Sequence, residues 1–128
     1  MQSILENIAK HVSLTPEEET LFLSKTETKQ FKAKSILLSA GEVANCRYFV
    51  NSGILRSLNI SGKIIEHGLL FACECWWIGG MYSYISGKPG NLFIEVLEDA
   101  EVVIITKENH QILYKEIPKL ERFFRILA

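Results

Sequence analysis

A mainly β fold, a roll of short antiparallel strands flanked by helices, is what this sequence of 128 residues predicts. Three observations lead there. At both ends, apolar residues recur at helical spacing behind helix-starting residues. From Thr28 to Ile105 they come instead in short runs separated by turn residues. The runs of the middle follow one another too closely for crossover helices, which argues for a roll or barrel rather than βαβ units.

The elements follow in order. Ser3 with Glu6, and Thr15-Pro16-Glu17-Glu18, each fit a capping box, the second with Pro in the first helical position. Ile4, Leu5, Ile8 and Val12 then make one stripe, and Leu21, Phe22 and Leu23 fall in a second helix. Strands are expected over Thr28–Ala33, Ile36–Leu38, Arg47–Val50, Ile54–Ile60 and Ile64–His67. Turns at Ala40-Gly41-Glu42, Asn51-Ser52-Gly53 and Ser61-Gly62 separate them. Gly79-Gly80 and the segment through Ser86 read as one or two helical turns that end at Gly87-Lys88-Pro89-Gly90. Strands Asn91–Leu97 and Glu101–Ile105 meet at Glu98-Asp99-Ala100. Thr106 caps a helix to about Tyr114, and Pro118 opens another; in this last segment Ile117, Leu120, Phe124 and Leu127 form an apolar stripe. That stripe still runs at Ala128, with no helix-stopping residue, as expected of a cut chain.

Composition narrows the function. The chain carries 14 Lys+Arg against 15 Asp+Glu, a net charge of -1, which excludes a strongly basic nucleic-acid binder. Lys25, Lys29, Lys32 and Lys34 are diluted by Glu27 and read as solvated surface. The apolar run from Leu69 breaks at Glu74, far short of the roughly 20 residues that span a bilayer, so no membrane partner is expected. Nothing after Met1 looks like a signal peptide, and the cysteine count is odd: Cys46, Cys73 and Cys75. Both points lead to an expected cytoplasmic location with free thiols, core or half-buried rather than metal-binding. Cys73 and Cys75 would share one face of a strand. His11, His67 and His110 are scattered, so no metal site is expected. Trp76, Trp77, Tyr82 and Tyr84 could stack on a planar ligand, but packing beside the short helix is the better reading.

Helices, about eight short strands broken by one short helix, and a terminal helix resemble the effector domain of Crp/Fnr-type bacterial transcription regulators. The resemblance rests on Ala40-Gly41-Glu42, Tyr48-Phe49-Val50-Asn51-Ser52-Gly53, Ser61-Gly62-Lys63, Trp77-Ile78-Gly79 and Glu98-Asp99-Ala100-Glu101-Val102. It implies a jelly roll (double-stranded β-helix) of the cyclic-nucleotide-binding type over residues 1–128, with a dimerisation helix starting near 117. It further implies a homodimer through Ile117, Leu120, Phe124 and Leu127, and DNA contact only through a C-terminal helix-turn-helix domain absent from this chain.

Family members that bind cyclic nucleotides hold the phosphate in a Gly-Glu, short helix, Arg-Ser/Thr-Ala cassette. Helix-start amides face the anion, the arginine forks onto it, and the glutamate takes the ribose hydroxyl. On this chain the resemblance places the cassette, and with it the expected ligand-binding set, at Gly79, Gly80, Met81, Tyr82, Gly90, Asn91 and Leu92. Gly80 stands where the glutamate belongs and Gly90 where the arginine belongs. Each charge-assisted hydrogen bond is worth about 1.5–3 kcal/mol, and Lys88 lacks the fork, so cyclic AMP is not the expected ligand. The expected effector is a small molecule of unknown identity, with no cofactor.

An enzyme is not expected. Cupins share a similar roll, but this chain has no His-x-His; Gly-x-Ser-x-Gly and phosphate-loop motifs are missing too. The cysteines do not match the iron–sulfur cluster pattern of the family. A stand-alone small-molecule- or protein-binding module is the alternative to a regulator's sensor domain.

Overall fold

The computed structural model describes residues 2–61, 64–79, 87–90 and 92–127. Helix α1 (Gln2–Ala9) buries Ile4 and Ile8 completely, as the stripe predicts. It already includes Ser3, which therefore lies inside the helix and not at its cap. Helix α2 (Pro16–Ser24) starts as expected. The Glu18 amide donates to Thr15 Oγ1 (3.1 Å), and the Thr15 amide donates back to Glu18 Oε1 (2.9 Å). Of its residues only Phe22 is buried outright.

Six antiparallel strands follow among the described residues: β1 (Glu27–Phe31), β2 (Ile36–Leu38), β3 (Cys46–Ser61), β4 (Ile64–Ala72), β5 (Trp77–Ile78) and β6 (Leu92–Thr106). The order β1-β6-β3-β4 is completed by β2 on β6 and β5 on β3. The mainly β, antiparallel class is as the sequence predicts, but two of the expected turns are not reversals. The long strands β3 and β6 each absorb two expected strands, and they pair from Cys46↔Thr106 to Asn59↔Leu92. Where Asn51-Ser52-Gly53 meets Glu98-Asp99-Ala100 the register shifts and the double strand bends. Gly53 is required there. Its φ is +90°, and a Cβ would lie 2.5 Å from the Asp99 carbonyl oxygen and 2.6 Å from Ala100 Cα. The Asp99 carboxylate also accepts the Ala33 amide (2.8 Å), tying the β1–β2 connection to the same corner.

Alternation along the sheet creates two cores. Tyr48, Val50 and Val102 point into the roll, where Leu55, Ile94 and Val96 join them beyond the bend. Phe49, Val103 and Ile105 point the other way, onto the helices. Helices α3 (Lys107–Glu116) and α4 (Pro118–Leu127) cover that second face. Helix α3 opens on Thr106, whose Oγ1 accepts the Asn109 amide at 3.1 Å.

Candidate functional site

The two ends of the expected ligand cassette are held by different parts of the sheet. On one side β5 pairs with β3 through Tyr48↔Ile78 and Phe49↔Trp77, and delivers the chain to Gly79. A Cβ on Gly79 would lie 3.6 Å from the Cys46 carbonyl oxygen, ordinary contact, so the glycine is not demanded by space. On the other side, the Gly41 amide donates to the Gly90 carbonyl (2.7 Å) and the Gly90 amide to the Glu42 carbonyl (3.3 Å). The Ala40-Gly41-Glu42 turn is itself closed by the Ser39 amide donating to Glu42 Oε1 at 2.8 Å. Leu92 then opens β6 opposite Asn59 and packs partly against the roll core. Gly80, Met81, Tyr82 and Asn91, with the expected helix up to Ser86 and Tyr84, lie outside the described residues.

The two arginines of the sheet are engaged elsewhere. Arg47 is 5% exposed and sits over the Phe124 ring, 4.7 Å from its centroid. Arg56 is held by Glu95: its Nε donates to Glu95 Oε1 at 2.7 Å and Nη2 lies 2.6 Å from the same oxygen. Arg122 and Arg125 are exposed on α4. The Arg56–Glu95 pair escaped sequence reasoning because it depends on the register Arg56↔Glu95 between strands far apart in the chain.

Two polar side chains on the sheet are buried among the described residues. Ser57 is buried, and burial pushes the Tyr48 phenol up from its ordinary value while its hydroxyl donates to the Leu37 carbonyl at 3.4 Å. A shallow cavity of about 420 Å³ lies at the corner instead, between Phe31, Lys32, Ser52 and Asp99; neither Gly79 nor Gly90 lines it. Among the described residues no group of three or more His, Cys, Asp or Glu is placed to hold a metal.

Of the aromatic residues next to the cassette, Trp77 packs rather than waits for a ligand. Its Nε1 donates to Asn7 Oδ1 (2.8 Å), and its ring meets Phe49, Phe123 and Phe124 at 4.9, 5.8 and 5.3 Å between centroids. Its neighbour Ile78 is buried in the roll core. β5 therefore joins the two cores directly before Gly79. Trp76 is 46% exposed.

The cysteine reading needs correction. Cys73 and Cys75 lie in a turn, not on a strand, and both are exposed; only Cys46 is half-buried. The turn forms because the Cys75 amide donates to the Val50 carbonyl and the Val50 amide to the Trp76 carbonyl, which pulls the chain around toward β5. The stripe assigned to dimer contact is also placed by the structure. Ile117, Leu120 and Phe124 are buried inside their own chain, alongside Phe123, while the Leu127 side chain lies outside the described residues.

No protein-family model and no curated protein matches this chain. Solved structures do. The catabolite activator protein of Thermus thermophilus superposes with a TM-score of 0.79 at 20% identity over 94% of this chain. A cyclic nucleotide-binding domain from Methylobacillus flagellatus gives 0.78 at 19% identity, covering 98% of this chain and 71% of that one. The fold is that of a cyclic nucleotide-binding domain. The c-di-GMP-responsive global regulator CLP of Xanthomonas campestris shares the fold at a TM-score of 0.66 and 15% identity over 88% of this chain. The chain spans only 55% of the Thermus protein and 57% of CLP. None of its described helices is long and apolar enough to cross a membrane.

Proposed function

We propose that this cyclic nucleotide-binding fold is the effector-sensing domain of a Crp/Fnr-like bacterial transcription regulator whose ligand is not cyclic AMP. The observation that carries the reading is Gly90. This residue, bonded through its backbone to Gly41 and Glu42 shortly before β6, is the one the family resemblance matches to the phosphate fork, and it has no side chain to offer. Arg56, held by Glu95, and Arg47, buried on Phe124, do not replace it.

The domain senses and does not catalyse, and it works in the cytoplasm. Its output runs through β5: a ligand that shifts Gly79 shifts Trp77, and Trp77 bears on Phe123 and Phe124 of α4. In a regulator of this kind α4 continues toward a DNA-binding domain, and the recognition helices are reoriented by how two such helices pair. Because Ile117, Leu120 and Phe124 serve the chain's own core, pairing of two copies falls to other residues.

Calorimetry with cyclic AMP tests the reading. The unmodified chain is expected to show no micromolar binding, and the double variant Gly80→Glu with Gly90→Arg is expected to gain measurable affinity. Micromolar binding by the unmodified chain would overturn it.

A further inference from the structure

The turn between β4 and β5 carries chemistry that sensing through the roll does not use. Cys73 and Cys75 are both free and both exposed, on either side of the equally exposed Glu74. The turn is closed by the Trp76 amide donating to the Cys73 carbonyl at 3.0 Å. Its third residue, Cys75, has φ 71°, the left-handed conformation that a turn of type II demands and that glycine or asparagine usually supplies. A cysteine thus occupies a position whose backbone disfavours it, and one tight turn carries both thiols. The turn is pinned to β3, by the Cys75 amide on the Val50 carbonyl (2.8 Å) and the Val50 amide on the Trp76 carbonyl (2.9 Å).

We propose that Cys73 and Cys75 form a reversible dithiol site that closes to an intraturn disulfide when it meets a low-molecular-weight disulfide. Consecutive α-carbons are about 3.8 Å apart, so a chain that turns brings the first and third residues of the turn into the about 4.4–6.8 Å span of a disulfide. The thiolate of one cysteine attacks a sulfur of the small disulfide and expels its first thiolate, leaving a mixed disulfide. The thiolate of the second cysteine then attacks the protein sulfur of that mixed disulfide and expels the remaining small thiol. Two protein thiols are oxidised, one small disulfide is reduced to two thiols, and both protons leave with those thiols. Exposure of both sulfurs gives the small reagent access, and excess thiol reverses the step. Cys46 stands apart: it is half-buried, its thiol donates to Asn45 Oδ1 at 3.4 Å, and burial holds it protonated above the ordinary thiol range.

The reduced protein, equilibrated in glutathione buffers of rising disulfide content, acid-quenched, alkylated and weighed intact, tests this. The expected result is joint loss of two thiols with no stable glutathione adduct, a peptide map linking Cys73 to Cys75, and Cys46 still alkylated. Cys73→Ser and Cys75→Ser are each expected to keep one stable glutathione on the remaining turn cysteine, because the resolving thiol is gone. Stable adducts on the unmodified chain, disulfides between copies, or three thiols surviving the most oxidising buffer would overturn the proposal.

Discussion

The two sides of the sheet are filled by different chemistry. On the helix side Phe22, Phe49, Phe123 and Phe124 are fully or almost fully buried, and Trp77 packs against three of them. On the roll side the buried residues are mostly small and aliphatic, such as Val50, Leu55, Ile94, Val96 and Ala100. Rings bring the larger buried area and pack edge to face, so the helix side gains contacts that the aliphatic roll side does not have. The helix side also buries charge and polarity, with Arg47 over Phe124 and His110 against the same ring, 4.3 Å between centroids. The difference teaches what holds each layer: interlocked rings hold the helices to the sheet, while the roll is packed with smaller units.

The largest test truncates one residue on each side. Phe124→Ala removes a ring that touches Trp77, His110, Tyr114 and Phe123, and is expected to cost about 3–5 kcal/mol. Val96→Ala, equally buried in the roll, is expected to cost about 2 kcal/mol, since only two methyl-sized groups are lost. Urea unfolding of the two variants measures both. Equal costs would break the comparison.

At the corner where the roll bends, packing gives way to backbone. Gly53→Ala puts a methyl group 2.5 Å from the Asp99 carbonyl oxygen at a φ of +90°, and neither group can step aside. The expected loss is about 2–3 kcal/mol. Gly41→Ala has a similar φ, +95°, but nothing within 4 Å, and should cost only about 1 kcal/mol. The gap between the two variants isolates the price of the close approach.

That corner also shows why part of the fold was not legible in the sequence. Asn51-Ser52-Gly53 is the same local signal whether the chain reverses or only bends, and the choice is made by Glu98-Asp99-Ala100 on the partner strand. Alternation of Cys73 and Cys75 read as a strand for a similar reason, since the hydrogen bonds to Val50 that turn the chain are non-local. Local signals transferred well where the physics is local: Thr15 with Glu18, Thr106 with Asn109, and the Ile4 and Ile8 stripe. Helical spacing showed that Ile117, Leu120 and Phe124 need cover, but not that their own sheet supplies it. Of the cassette, the glycine ends Gly79 and Gly90 are placed, whereas Gly80, Met81, Tyr82 and Asn91 fall outside the described residues.

Acid should unsettle the helix side first. His110 is 1% exposed, and burial, with the Arg47 charge adding to it, pushes its pKa down to about 3. An unfolded chain binds that proton near the ordinary value of about 6.5. Stability is therefore fully present above about pH 6.5, falls as pH drops below it, and stops falling below about pH 3. By pH 5 the loss should be roughly 2 kcal/mol. Glu18, whose pKa is lowered chiefly by its hydrogen bond to Lys119, contributes only further down, as pH falls below the ordinary carboxylate value. Urea midpoints measured from pH 7 to pH 5 should fall for the unmodified chain and stay level for His110→Gln, whatever the starting stability of that variant. An unchanged slope in the variant would place the titrating group elsewhere.

The smallest effect sharpens the comparison from the helix side alone. Thr15 Oγ1 accepts the Glu18 amide, while Glu18 Oε1 accepts the Thr15 amide and lies 2.7 Å from Lys119 Nζ. Lys119 in turn donates to the Ser13 carbonyl, so the start of α2 is tied to α4. Thr15→Ala removes only the side-chain half of the capping box, because the Thr15 amide and the Lys119 contacts do not involve the hydroxyl. A lost cap costs about 1 kcal/mol. If interlocked rings hold this layer, the variant should lose about that much by urea unfolding, with an unchanged dependence on urea concentration. A loss as large as that of Phe124→Ala would mean that the helix layer depends on how its helices begin, and that the rings only fill the space behind them.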